Sequence, residues 1–366
     1  MILKFLEESG GYKKLGYFLI VLFLFLEIAS RLIYHYGRKI PQITGGVQFV
    51  RYLMHGEGNF TGPIESRPYG LYWNRPNYIR KGYQQTDING FRFKGYDVSI
   101  CKSRTRIMVY GGSTTFSDHV LSDPKQAWTY ILEELFKENG KDIEVVNCGL
   151  NYAMTSELAS HFFFEGAHFS PDYVILHGPG NDSLPIATGD ETRDYRGTRE
   201  SRQLFPRPFE PFLLKFSGII RIFYCLLFRQ YMFAKLEPIA WDSPTIQNAR
   251  LLESDLTSFK NNVKNFVGVC IQRNIKVVLI DFLQANKETL EKLKPGLSEG
   301  LISINLKMSG YFKELAAENP MQIHHVELQN SAFSANDFFD SCHLMASGEK
   351  VKASLIYDQI ENFIDF

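Results

Sequence analysis

The sequence predicts a doubly wound α/β domain, and three observations carry that prediction. Short apolar runs recur along the second two-thirds of the chain, stretches with helical spacing lie between them, and Gly, Asn or Asp clusters follow the runs. Short apolar strands alternating with amphipathic helices imply a parallel sheet covered on both faces. Composition is consistent with a packed core: of 366 residues, 45% are hydrophobic and 14% aromatic, which excludes a disordered or collagen-like chain. The 40 Lys+Arg balance the 40 Asp+Glu, so the electrostatic footprint of a nucleic-acid binder is missing and no nucleic-acid partner is expected. The five cysteines (Cys101, Cys148, Cys225, Cys270, Cys342) are scattered, with no CxxC pair to suggest a zinc or redox site.

Taken in order, the chain opens with an uncharged run, Leu15 to Leu26, between Lys14 and Glu27. Twelve helical residues span only about 18 Å, but the apolar character resumes through Ile28, Ala29, Leu32, Ile33 and Tyr34. Glu27 and Arg31 stand four apart with the acid first, the favourable order for a helical ion pair. A helix from about Leu15 to Tyr36 would span a membrane, with Tyr34 and Tyr36 in the interfacial belt. A cleaved signal peptide is the rival, and the pairs Glu27/Ala29 and Ile28/Ser30 are poor cleavage sites. Residues 1–36 are therefore expected to hold a single-pass anchor. Lysines precede the segment and Arg38 and Lys39 follow it, so charge does not fix its orientation.

Residues 37–103 form an irregular, β-rich linker module by their turn signals, among them Asn89-Gly90. The sheet domain is placed at 104–366. Its strands are expected at Ile107–Tyr110, Ile143–Val146, Tyr173–Leu176, Val277–Phe282 and, more weakly, Ile323–Leu328. Helices are expected around Trp128–Phe136, across Leu256–Cys270, and at the C-terminus with Val351, Leu355, Ile356, Ile360 and Phe363 inward. An insertion, residues 183–250, interrupts the pattern. Within it the apolar stretch Phe212 to Phe233 carries Lys215, Arg221 and Arg229, and reads as a lid, a membrane-surface helix or a flank helix.

Ligands of such sheets bind beyond the carboxyl ends of the strands. The residues there are Gly111-Gly112-Ser113-Thr114-Thr115, Asn147-Cys148-Gly149, Gly180-Asn181-Asp182 and Asp340-Ser341-Cys342-His343. Together they supply a nucleophile (Ser113), a base (His343), an acid to orient it (Asp340) and an amide donor for an oxyanion (Asn181). Singly, each is an ordinary turn; the ordered set is what points to nucleophilic catalysis. His161, His168 and His177 have no carboxylate or cysteine at ligand spacing, and neighbouring His324 and His325 in a strand point to opposite faces, so no metal is expected. Cys342 reads as an inert thiol.

Over about residues 104–364 the sequence resembles the SGNH (GDSL-type) hydrolases. Tyr110-Gly-Gly-Ser-Thr is similar to their nucleophile block, with Gly112 where many members have Asp; Gly180-Asn181-Asp182 is similar to their third block, and Asp340 to Leu344 to their final DxxHL block. The resemblance implies a flavodoxin-like sheet of five parallel strands, a Ser113–His343–Asp340 triad, Asn181 in the oxyanion hole and no cofactor. The second block usually supplies a glycine N–H five residues after an Asn equivalent to Asn147. Here that position is Tyr152, while Gly149 lies nearby but out of register. The third block normally has glycine where this chain has Pro179. Asn89-Gly90-Phe91-Arg92 resembles a stretch found in membrane-anchored members. The function implied is a membrane-tethered serine esterase acting outside the cytoplasm on acyl or acetyl esters of a glycan or lipid. The alternatives are an O-acyltransferase served by an integral membrane acyl-donor partner, and a non-catalytic subunit of a membrane complex.

Overall fold

The computed structural model describes residues 11–37, 63–65, 72–178, 180–187, 217–220, 256–286, 289 and 299–364. The chain divides into two compact units, one of residues 1–62 with 201–237, the other of 63–200 with 238–366.

In the first unit, α1 runs from Gly11 to Gly37. Its Gly11–Leu32 stretch has a mean hydropathy of 2.0 and only 6% of its most apolar window is buried. Twenty-two helical residues reach about 33 Å, enough to cross a hydrocarbon core. The expected ion pair is present, with Arg31 Nε 2.8 Å from Glu27 Oε1. Glu27 also accepts hydrogen bonds from Ser217 Oγ (2.9 Å) and from the backbone N–H groups of Gly218 (3.1 Å) and Ile219 (3.3 Å). Its carboxylate thus satisfies the open donors of a helical turn at 218–220. Apart from residues 217–220, the stretch Phe212–Phe233 lies outside the described residues, as do most of 183–250 and Pro179.

The second unit is built on a five-stranded parallel sheet: β1 (Thr105–Gly111), β2 (Ile143–Gly149), β3 (Tyr173–His177), β4 (Lys276–Ile280) and β5 (Ile323–Val326), in the spatial order β2-β1-β3-β4-β5. All five expected strands form, with β1 in register so that Gly111 sits beside Gly149 of β2. The helices around it are α2 (Ser113–Phe116), α3 (Trp128–Glu138), α4 (Thr155–Phe164), α5 (Thr257–Gln272), α6 (Glu299–Glu318) and α7 (Ala346–Ile360), with a further short helix at Ser183–Ala187 among the described residues. Alternate strand residues feed opposite faces. Ile107, Val109, Ile175 and Val278 pack with Trp128, Leu132 and Phe136 of α3 and with Ala353, Ile356 and Ile360 of α7. On the other face Tyr110 meets Phe162 of α4 (centroids 5.6 Å) and Phe266 of α5 (5.7 Å).

Two buried histidines, His177 at the end of β3 and His161 on α4, act structurally. His177 Nδ1 lies 2.6 Å from Thr115 Oγ1, and His161 stacks on Trp73. His324 stacks on Phe363, whereas His325 pairs with Asp281 (2.8 Å), so the two do point to opposite faces. The closing helix buries Ile356 and Ile360 as expected, with Val351, Leu355 and Phe363 packed against the core, but its buried face extends to two charged residues, Glu349 and Lys352. They turn inward because the nucleophile turn offers them polar partners, described below. Helices α4 and α6 were not anticipated from the sequence.

Residues 63–100 form two short strand pairings of their own, Trp73–Asn74 with Ile64–Glu65 and Ile79–Arg80 with Tyr83–Gln84, and join the sheet domain through Asn74 Nδ2 donating to Gly149 O (2.8 Å), Arg92 N–H donating to Asn147 O (2.9 Å) and the Lys94–Glu133 ion pair (2.7 Å). Gly90 takes φ +83°, and a Cβ there would lie 2.6 Å from Asn74 O and 2.9 Å from the Trp73 ring. The turn delivers the buried Arg92, which donates to Gln85 and to the carbonyls of Ser117 (3.5 Å) and Leu121 (3.4 Å). Those carbonyls lie in the loop after α2.

Candidate active site

β1 ends at Gly111, and the chain turns at Gly112 into the single helical turn α2, placing Ser113 at its first position. Gly111 is sterically required, and Gly112 leaves room for the Asn181 amide. A Cβ on Gly111 would overlap Thr115 Oγ1, and one on Gly112 would press to 3.0 Å against Asn181 Nδ2. Phe339 N–H donates to His343 O (2.8 Å), Met345 N–H to Asp337 O (2.8 Å) and Ala285 N–H to Ser341 O (2.8 Å), fixing the loop that carries Asp340 and His343.

These elements bring together three of the expected residues. His343 Nε2 lies 2.9 Å from Ser113 Oγ, and His343 Nδ1 lies 2.8 Å from Asp340 Oδ2. Asp340 Oδ1 also accepts the backbone N–H groups of Cys342 (2.9 Å) and His343 (2.8 Å). Burial alone would raise the Asp340 carboxyl, but the His343 hydrogen bond and charge, with the backbone donors, hold it well below the usual range. Burial works against the His343 cation, yet the Asp340 hydrogen bond outweighs it and pushes the imidazole up to about 10. Asp340 therefore fixes Nδ1–H and leaves Nε2 toward the serine.

Asn181 lies beside the turn that carries the serine. Its Nδ2 donates to Ala153 O (3.0 Å) and abuts Gly112, and the amide's second hydrogen is left for a ligand oxygen. Asp182, next in sequence, accepts from Thr155 N (2.9 Å) and Oγ1 (2.6 Å), tying the Asn181 loop to the start of α4. Tyr152, at the position where a glycine was expected, adopts φ +65°, the left-handed conformation glycine favours, with its side chain 60% exposed. Gly149 must be corrected as an oxyanion candidate. Its N–H donates to Asn147 Oδ1 (2.9 Å), its carbonyl accepts from Asn74 Nδ2 (2.8 Å), and a Cβ there would strike the Phe116 backbone. It is a packing glycine beneath α2.

Sequence reasoning missed three features. His119 stacks on His343 with ring centroids 4.5 Å apart and 25° between planes, and Phe339 meets His119 edge-on at 5.8 Å. No spacing signal marks either. Third, a buried pair on α7 supports α2 from below. Glu349 accepts from Ser117 Oγ (3.0 Å) and Trp128 N (2.7 Å), while Lys352 Nζ donates to Thr114 O (3.3 Å). Burial raises the Glu349 carboxyl and lowers the Lys352 ammonium to about 8, each opposed by the other's charge. An i, i+3 pair of unlike charges interrupting an apolar helix face is the signal that was available.

Among the described residues, ligand atoms of His119, Asp340 and His343 lie within 4.8 Å of one another. Asp340 and His343 already engage each other and Ser113, so a cation there would have to break that chain. Cys342 Sγ lies 3.6 Å from His343 Nδ1.

The arrangement is that of a parallel α/β domain with a Ser–His–acid hydrogen-bonded chain at its strand ends. No family model and no curated protein matches the chain. Solved structures with a similar fold include a catalytic mutant of an acetylxylan esterase from Geobacillus stearothermophilus, at 11% identity over 73% of this chain and 100% of that one, with a TM-score of 0.43. A lipase/acylhydrolase from Enterococcus faecalis is similar at 13% identity, covering 71% and 97%, TM-score 0.43. An esterase, EstA, from Pseudoalteromonas sp. follows at 12% identity, covering 71% and 98%, TM-score 0.41. At such identity and overlap the weight of a functional reading falls on the geometry of the site itself.

Proposed function

We propose that the protein is a membrane-tethered serine esterase of SGNH type whose domain faces outside the cytoplasm and cleaves acyl or acetyl esters of a glycan or lipid. The observation that carries this reading is the unbroken chain Asp340–His343–Ser113 beside the Asn181 amide. Ser113 Oγ attacks the ester carbonyl as His343 Nε2 takes its proton, and Asp340 stabilises the imidazolium that forms. Asn181 donates to the tetrahedral oxyanion; loss of one such donor typically costs about 2.7–4 kcal/mol in the barrier. The imidazolium returns the proton to the departing alcohol, and water, activated by the same base, releases the acid from the acyl-serine. The Gly11–Leu32 helix supports the tether.

Transfer of the acyl group to a glycan hydroxyl uses the same residues, with the acceptor in place of water. Whether acyl label ends as free acid or on glycan separates the two. The primary test is labelling of the detergent-solubilised chain by a fluorophosphonate. Labelling is expected in the wild type and lost in Ser113→Ala and His343→Ala. A folded wild type that does not label, with its site shown open to small ligands, refutes the enzyme and favours a non-catalytic subunit.

A further inference from the structure

The leaving alcohol receives its proton from His343 Nε2, so the alcohol half of any ester must lie against the His343 side of Ser113. Two aromatic rings extend from the His343 imidazole, His119 stacked on it and Phe339 against His119. His119, carried by the turn after α2, is exposed while one face covers the His343 imidazole. Phe339, which precedes Asp340, is 51% exposed and stands at 68° to the His119 ring. The chain beside His119 is polar: Arg80 Nη1 holds the carbonyl (2.7 Å) and carboxylate (3.3 Å) of Asp118, whose charges act on His119, and Asp118 also receives Asn151 Nδ2 (3.0 Å).

We infer that His119 and Phe339 form the subsite for the alcohol half of the ester, and that this alcohol is a sugar ring. The inference rests on the esterase reading above. A pyranose presents C–H bonds on its faces and hydroxyls around its rim, matching exposed ring faces and the polar chain beside His119. An alkyl chain would instead call for continuous apolar cover. Burial and the neighbouring His343 lower the His119 pKa, so its neutral imidazole can both donate to and accept from a hydroxyl.

The test compares two esters with the same acyl group, methyl O-acetyl-glucopyranoside and ethyl acetate, on the full-length chain in detergent. The ratio of their kcat/KM values is read for wild type, His119→Ala, Phe339→Leu and Phe339→Tyr. Loss of one aromatic contact is expected to lower the sugar-to-ethyl ratio about ten-fold in His119→Ala and Phe339→Leu, with Phe339→Tyr within about two-fold of wild type. Equal losses for both esters would mean that the rings only hold His343, and an unchanged ratio would mean that they touch no alcohol; either overturns the inference. A wild type that labels with fluorophosphonate but turns over the ethyl ester alone overturns the sugar subsite and leaves the esterase standing. Absence of both labelling and turnover overturns the esterase reading and the subsite with it.

Discussion

The chemistry at Ser113 depends on the protonation of one ring. Only neutral His343 can take the serine proton, and Asp340 raises the imidazole to about 10. Hydrolysis measured against pH is therefore expected to rise through the alkaline range toward that value. Replacing Asp340 with Asn should move the limb down toward the ordinary histidine range and lower the plateau, because the tautomer is no longer fixed. The same ring links to stability with a definite sign. A cation whose folded pKa is raised contributes stability that is full below its unfolded value near 6.5 and lost as pH rises toward about 10. Melting followed from pH 6 to 10 should show wild type losing stability that His343→Gln does not. Tyr152 gives a second expectation. At φ +65° a non-glycine residue costs roughly 1 kcal/mol, and the side chain is mostly exposed, so Tyr152→Gly should raise stability by about that amount in chemical denaturation. The triad residues were legible in the sequence because each falls just after a strand or ahead of the closing helix. The sign of φ at Tyr152 was not, because backbone handedness at a non-glycine residue leaves no compositional trace. Gly149 was misjudged for a related reason: in sequence a glycine that admits a ligand looks the same as one that admits a neighbouring helix.

Among the elements, α7 shows what helical periodicity leaves out. Apolar spacing placed Val351, Leu355, Ile356, Ile360 and Phe363 inward, and all lie in or against the core, but the buried face also runs through Glu349 and Lys352, whose charges meet Ser117, Trp128 and Thr114. A hydrophobic pattern cannot reveal that a helix is aimed at polar backbone. Removing one member strands the other in the core, so Lys352→Met should destabilise by about 3–5 kcal/mol, with urea unfolding as the measure. The double replacement Glu349→Leu/Lys352→Met should recover part of that loss, yet label more slowly with fluorophosphonate because Thr114 O keeps only the Trp128 Nε1 donor and loses that of Lys352. The strands were readable because a doubly covered parallel sheet needs continuous apolar runs. Helix α4 was not, since its buried face includes Glu157 and His161.

For the molecule as a whole, the N-terminal helix should decide where the chain resides. After alkaline carbonate extraction the full-length protein is expected in the membrane pellet; recovery in the supernatant, with a shortened N-terminus by mass spectrometry, would identify a cleaved signal instead. The distribution of the site along the chain has a different consequence. Ser113 reaches its base across 230 residues, Ser117 reaches Glu349 across 232, and Thr114 reaches Lys352 across 238. Contacts so distant in sequence form late, since the loop they close must be ordered first. During synthesis the serine emerges long before the histidine that activates it and the helix that braces it. On the esterase reading proposed above, a nascent chain stays inert toward esters until the segment carrying His343 and α7 has docked, and a single proteolytic nick ahead of α7 that lets that segment dissociate would silence the serine without touching it.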